Sequence, residues 1–189
     1  MIENRLREAL LEEVNNPIKR LEVFDFDGTL IDTPLSDVGV PIWEKATGKE
    51  FPWNGWWAQP ESLNTDIFEM NVIPQVASAY QKAKARPDTM VVMATGRENK
   101  PELVSAVKGI LDSKGMTFDA YRFNPGGDTG EVKLNQFNVI LGANLNITEV
   151  VLYDDREKHF DQFEAWGAEL LEGGIVTSFN LVRIPSARH

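Results

Sequence analysis

The stretch Leu21–Pro34, LEVFDFDGTLIDTP, decides how this chain is read. A short apolar run ends in two carboxylates, Asp25 and Asp27, one residue apart, with Gly28 and Thr29 directly after them. The run has the composition of a buried strand, and Gly28 permits the tight turn that follows. Unpaired charge at the end of a buried strand is expensive. Two acids there call for a compensating partner.

Outward from this point the chain alternates. After Leu21–Asp25, strand character returns in TMVVMAT (89–95), FDAYRF (118–123), ITEVVLYD (147–154), AELLEG (168–173) and IVTSFNLVRI (175–184). Helical periodicity falls between them. NVIPQVASAYQKAKA (71–85) carries Pro74 in its first turns. KPELVSAVKGILDSKG (100–115) ends at a glycine, EVKLNQFNVILGAN spans 131–144, and KHFDQFEAWG (158–167) is closed by Gly167. Residues 2–15 read as a charged amphipathic helix ended by Asn15, Asn16 and Pro17, able to pack on its own domain or on a partner. Strands alternating with helices of this length predict an α/β fold, with a mainly parallel sheet and helices on both faces. One domain over residues 1–189 is expected. The irregular part, about 33–70, reads as a small insertion over a site; it holds Trp43, Trp53, Trp56 and Trp57, four of the five tryptophans, and only VPIWEKATG (40–48) looks helical.

Composition narrows the classes. There is no cysteine, hence no disulfide framework and no thiolate metal site. No apolar stretch is long enough to span a bilayer, and no secretory leader is seen, so no membrane partner and a cytoplasmic location are expected. The net charge of −10 argues against broad, nonspecific nucleic-acid binding, while leaving room for a local basic patch or for a bound cation that offsets part of the acidity.

Ligands of parallel α/β sheets sit at the carboxyl ends of the strands. LEVF ends in Asp25; MVVMA ends in Thr95, followed by Gly96 and Arg97; EVVLY ends in Asp154 and Asp155; Lys133 opens the helix before that last strand. Right-handed crossovers can bring these distant groups to one rim. Asp25, Asp154 and Asp155 are hard oxygen ligands suited to Mg²⁺. Thr95 offers a hydroxyl, the amides after it and the next helix start can attract an anion, and Lys133 brings positive charge. Together they describe a phosphate site beside a metal.

These motifs resemble the haloacid dehalogenase superfamily of phosphotransferases. The Asp-x-Asp-x-Thr loop corresponds to Asp25–Thr29, followed by a Thr after a second apolar strand (Thr95), a downstream Lys (Lys133) and a late acidic pair (Asp154, Asp155). VFDFDGTLIDTP, then WNGWW, ATGR and VVLYDDREKHFDQF, are similar to the Swiss Army Knife RNA repair-like branch of that superfamily, whose members are inferred to process nucleic-acid ends. The resemblance implies a Rossmann-like fold and a Mg²⁺-dependent phosphomonoesterase. Its substrate would be a nucleic-acid end carrying a 3′- or 5′-phosphate, or a nucleotide. A small phosphorylated metabolite and a noncatalytic phosphate-binding module are the alternatives.

The resemblance also assigns roles, each with a plainer alternative. Asp25 is the nucleophile that forms an aspartyl-phosphate, or a metal ligand or turn cap only. Asp27 is the general acid/base, and its backbone carbonyl joins Asp25, Asp154 and Asp155 around the metal. Thr95 and Lys133 hold the phosphoryl oxygens; otherwise Thr95 is a helix N-cap and Lys133 a surface lysine, with Lys108 and Lys114 as rivals. The acidic pair is adjacent, because Lys158 or His159 stands where the common motif has its second acid; Asp161 is expected on the surface. Gly96, Arg97, Arg156 and His159 contact substrate or make structural pairs. Trp56 and Trp57 stack a base or, like Trp43, anchor the insertion's core.

Overall fold

The structure, a computed structural model, describes residues 18–185. The helix expected over residues 2–15 lies outside them.

Five strands form one parallel sheet in the order β5–β4–β1–β6–β7: β1 (Arg20–Asp25), β4 (Thr89–Glu98), β5 (Ala120–Asn124), β6 (Glu149–Asp154) and β7 (Ser178–Arg183). Strand alternation sends β1 side chains to opposite faces. Leu21 and Val23 join one core with Val92, Leu152, Phe137 of α4 (Thr129–Ala143) and Phe163 of α5 (Glu157–Glu172). Phe24 joins the other with Met93, Tyr80 of α2 (Pro74–Lys84) and Leu103 of α3 (Pro101–Ser113). Helices therefore cover both faces, and β1 is buried at its centre, as parallel sheets require. Glu22 is tolerated inside β1 because Arg20 Nε and the Tyr153 hydroxyl both donate to it, at 2.6 and 3.0 Å.

The segment between β1 and α2 leaves and re-enters through an antiparallel ribbon, β2 (Ile31–Asp32) against β3 (Asn71–Val72). Asn71 and Val72 belong to this ribbon, not to the following helix, which begins at Pro74. Within the segment the expected short helix is longer: α1 (Ser36–Thr47) accommodates Pro41 in its second turn. Two 3₁₀ turns follow, Trp56–Ala58 and Pro60–Leu63. Aromatic rings build the segment's interior: Phe51 packs on Trp43, Trp53 and Trp56, and Trp56 meets Phe68 edge-on.

One expectation fails at the carboxyl end. AELLEG (168–173) is not a strand, and Gly167 does not end a helix: α5 runs through to Glu172. Its buried stripe of Phe160, Phe163, Trp166 and Leu170 continues at helical spacing past the glycine. Gly167 is there for closeness. A Cβ at this position would lie 2.2 Å from the Phe179 ring of β7, so the glycine lets helix and strand pack directly.

Candidate active site

The sheet register assembles the site. Phe24 pairs with Tyr153, which puts Asp25 level with Asp154 on the neighbouring strand. On the other side Asp25 pairs with Ala94, one residue before Thr95. The β4–β5 register is broken between Ala94 and Glu98, so Thr95, Gly96 and Arg97 depart from the regular ladder at the strand's carboxyl end.

Lys133 reaches this rim from α4. It is 3% exposed, and Nζ donates to Asp25 Oδ1 and to Asp154 Oδ2, both at 2.7 Å. The rivals stand elsewhere: Lys108 lies over the Tyr121 ring, and Lys114 is exposed at the end of α3. Asp154 Oδ1 accepts the Arg156 backbone N–H at 2.9 Å, and His159 Nδ1 lies 3.6 Å from the same oxygen. Carboxylate oxygens of Asp25, Asp154 and Asp155 lie within 4.8 Å of one another, and all three residues are buried.

Charged groups are concentrated in this cluster, where three carboxyl groups meet the Lys133 ammonium. Burial pushes the Asp25 carboxyl up to about 8; Lys133 opposes the rise, and Asp154, Asp155 and Asp27 add to it. Burial acts the same way on Asp154, but Lys133 and the hydrogen bonds it receives hold its carboxyl well below the usual range. Burial alone would lower the Lys133 ammonium, and the two carboxylates keep it firmly charged. Three carboxylate oxygens set this closely are hard ligands that fit a divalent cation such as Mg²⁺.

The Asp27 side chain turns away from the cluster, so any share it has in a cation is left to its backbone carbonyl. Asp27 Oδ1 accepts from the Thr33 hydroxyl at 2.8 Å and from Arg97 Nη2 at 2.8 Å; Oδ2 accepts from Arg97 Nε at 3.0 Å and lies 3.5 Å from Thr95 Oγ1. Thr95 does not cap a helix: α3 begins at Pro101 with Lys100 as its N-cap. The Thr95 hydroxyl instead accepts the Arg97 N–H at 3.1 Å. The anion attraction expected from a helix start directly after Thr95 is therefore displaced by several residues.

A pocket of about 190 Å³ opens on these groups, lined by Asp25, Asp27, Gly96, Lys133, Arg156 and Trp57 among others. Gly96 approaches α4 closely, since a Cβ there would lie 2.8 Å from Thr129 Cγ2. Arg97 also lines this pocket, although it is 2% exposed and most of its donors are directed at protein acceptors. Trp56 is 3% exposed, donates Nε1 to the Pro34 carbonyl and packs against Gly39, so it has no face to offer a base. Trp57 is half-buried and does line the pocket. Asp161 is exposed. A larger groove of about 810 Å³, between residues 63–71 and α3, carries none of these groups. Thr33, Thr129 and Ser62 are polar neighbours that sequence reading missed. Thr33 lay in plain view, six residues after Asp27; Ser62 gives no signal in an irregular segment.

A model of the family described as HAD domain family 1 in Swiss Army Knife RNA repair proteins matches residues 43–189, beginning after the Asp25–Asp27 stretch. Among solved structures, the chain is similar to one in the Pnkp1/Rnl/Hen1 complex, with 18% identity and a TM-score of 0.56 over 91% of this chain and 48% of that one. It thus spans about half of that chain's length. It is also similar to the HAD domain of effector protein Lem4 from Legionella pneumophila, with 12% identity and a TM-score of 0.51 over 91% of this chain and 89% of that one. At these identities the likeness concerns the fold. No helix among the described residues is long and apolar enough to cross a membrane.

Proposed function

The chain belongs to HAD domain family 1 of the Swiss Army Knife RNA repair proteins, and on that premise we propose that it is a Mg²⁺-dependent phosphomonoesterase acting on a phosphorylated nucleic-acid end or a nucleotide. The observation that carries the reading is Lys133, held between Asp25 and Asp154 at 2.7 Å from each, beside two further acids and a pocket. A lysine buried among carboxylates serves stability poorly by itself. It serves phosphoryl transfer well, because catalysis there consists mainly of positioning and charge stabilisation.

Asp25, Asp154 and Asp155 would hold the cation. A bound Mg²⁺ would offset their charge and supply Lewis-acid polarisation of the phosphoryl group. Lys133 occupies Asp25 Oδ1, which leaves Oδ2 to attack phosphorus. As the Oδ2–P bond forms, the bond from phosphorus to the leaving oxygen breaks, and Asp27, which must enter this step protonated, gives that oxygen its proton. In the second half Asp27 takes a proton from water, the water oxygen bonds to phosphorus, and the Asp25–P bond breaks. Phosphate leaves and both acids return to their starting state. Thr95 and Lys133 balance charge on the transferring group.

The pocket is smaller than a drug-sized site. It suits a phosphate with part of its sugar, the remainder lying outside along Trp57 and Arg156. The Trp-rich segment at 33–70 acts in this reading as a small cap on a single cytoplasmic domain. The net charge of −10 favours a second reading, a mononucleotide or sugar phosphate as substrate, over an extended polymer track. Phosphate release with Mg²⁺ from a matched panel separates them: oligonucleotides with a 3′- or a 5′-phosphate, mononucleotides and sugar phosphates. Preference for an oligonucleotide end supports end processing. Preference for the small esters keeps the chemistry and discards the polymer. Release from none overturns the proposal.

A further inference from the structure

Arg97 joins two parts of the molecule that are distant in sequence. It is almost fully buried, and its side chain splits its donors between opposite sides. Nε and Nη2 face the Asp27 carboxylate at 3.0 and 2.8 Å. Nη1 faces the other way, donating to the Trp57 carbonyl at 3.1 Å and to Ser62 Oγ at 2.8 Å. Ser62 is itself buried, and its hydroxyl donates to the Gln59 carbonyl at 2.7 Å, which aims a lone pair at Arg97. The Trp57 ring covers the guanidinium, with Cζ 5.3 Å from the ring centroid. A guanidinium is planar and rigid, so displacement of the Trp57–Ser62 side is transmitted to the Asp27 side. Most of the guanidinium's donors are thus spent on protein acceptors.

We infer that Arg97 and Ser62 are positioning residues that make the placement of Asp27 depend on the seating of the Trp57–Ser62 segment against β4. The inference rests on the reading of Asp27 as the proton-transfer group. It makes the segment part of leaving-group handling: Trp57 lines the pocket, so a leaving group that presses on its ring acts on the placement of the acid that must protonate it. In this role Arg97 acts through Asp27, while its guanidinium also borders the pocket.

The two roles separate by leaving group. p-Nitrophenolate departs without a proton, whereas the ribose oxygen of a nucleoside 3′-monophosphate needs one. First-turnover release of each leaving group is measured for wild type, Ser62→Ala and Arg97→Lys. Lysine keeps the charge beside Asp27 but cannot bridge to Trp57 and Ser62. General acid catalysis is worth about 10²–10⁴-fold. Release from the nucleoside monophosphate should fall about 100-fold in Arg97→Lys and about tenfold in Ser62→Ala, with KM within about twofold of wild type. Release of p-nitrophenolate should stay within about threefold. Equal loss on both substrates, or a loss carried by KM, overturns the inference and makes Arg97 a phosphate ligand. If Arg97→Lys does not fold, Ser62→Ala alone decides. A wild type inactive on both esters overturns the underlying reading of Asp27, and this inference with it.

Discussion

Raising the pH in the absence of divalent cation should destabilise this protein. The folded Asp25 carboxyl is pushed up to about 8, by burial first and then by Asp154, Asp155 and Asp27, against the pull of Lys133. In the unfolded chain the same group titrates near 3.9. Between pH 5 and 7 the folded state therefore keeps a proton that the unfolded state has lost. Stability falls with rising pH wherever the folded state binds more protons, for one proton by on the order of 3 kcal/mol across this window. A divalent cation demands ionised Asp25 and should remove the slope. Asp25→Asn, an uncharged mimic of the protonated acid, should lack it with or without metal. Urea unfolding at pH 5 and pH 7, in EDTA and in MgCl₂, reads the difference between wild type and variant and cancels other titrating groups. Wild type with no extra fall in EDTA, or with the same fall in MgCl₂, would refute the raised Asp25 carboxyl and its coupling to a cation.

Lys133→Met leaves Asp25 and Asp154 buried without their shared cation, and breaking a buried pair from one side costs about 3–5 kcal/mol; urea unfolding in EDTA should show a loss of that order. Asp155→Asn removes one oxygen donor from the cluster and should abolish most of the rise in unfolding midpoint that MgCl₂ gives wild type. Gly39→Ala would place a Cβ 2.3 Å from Trp56 Cζ2. Overpacking of this kind costs about 1–3 kcal/mol, and a changed tryptophan emission should accompany the loss of stability.

The sheet and the acidic cluster were legible because both are written in strand ends. Apolar runs ending in Asp25, Thr95 and Asp154 mark carboxyl termini of strands, and a parallel register brings such termini level. Lys133 was harder to choose, since its periodic surroundings resemble those of Lys108 and Lys114; only the packing of α4 against the sheet sets it between two acids. The AELLEG error has a physical source. Gly167 looks like a helix terminator in one dimension, but it serves the contact with Phe179, and the alanine, glutamate and leucines after it are strong helix formers. The link from Asp27 through Arg97 to Ser62 has no sequence signature. It joins positions 27, 97 and 62 through a segment whose conformation comes from ring packing, not from periodicity. Trp56 and Trp57 show the same limit: adjacent in sequence, one is core and the other lines the pocket.

The central claim is covalent, and it can be tested covalently. The protein, turning over a ³²P-labelled phosphoester with MgCl₂, is quenched in acid and reduced with borohydride, which converts an aspartyl-phosphate to homoserine. Peptide mass spectrometry then locates the converted residue. The account predicts homoserine at position 25 alone, and none in Asp25→Asn. Phosphate release from wild type with no conversion at position 25, or with conversion elsewhere, would contradict it.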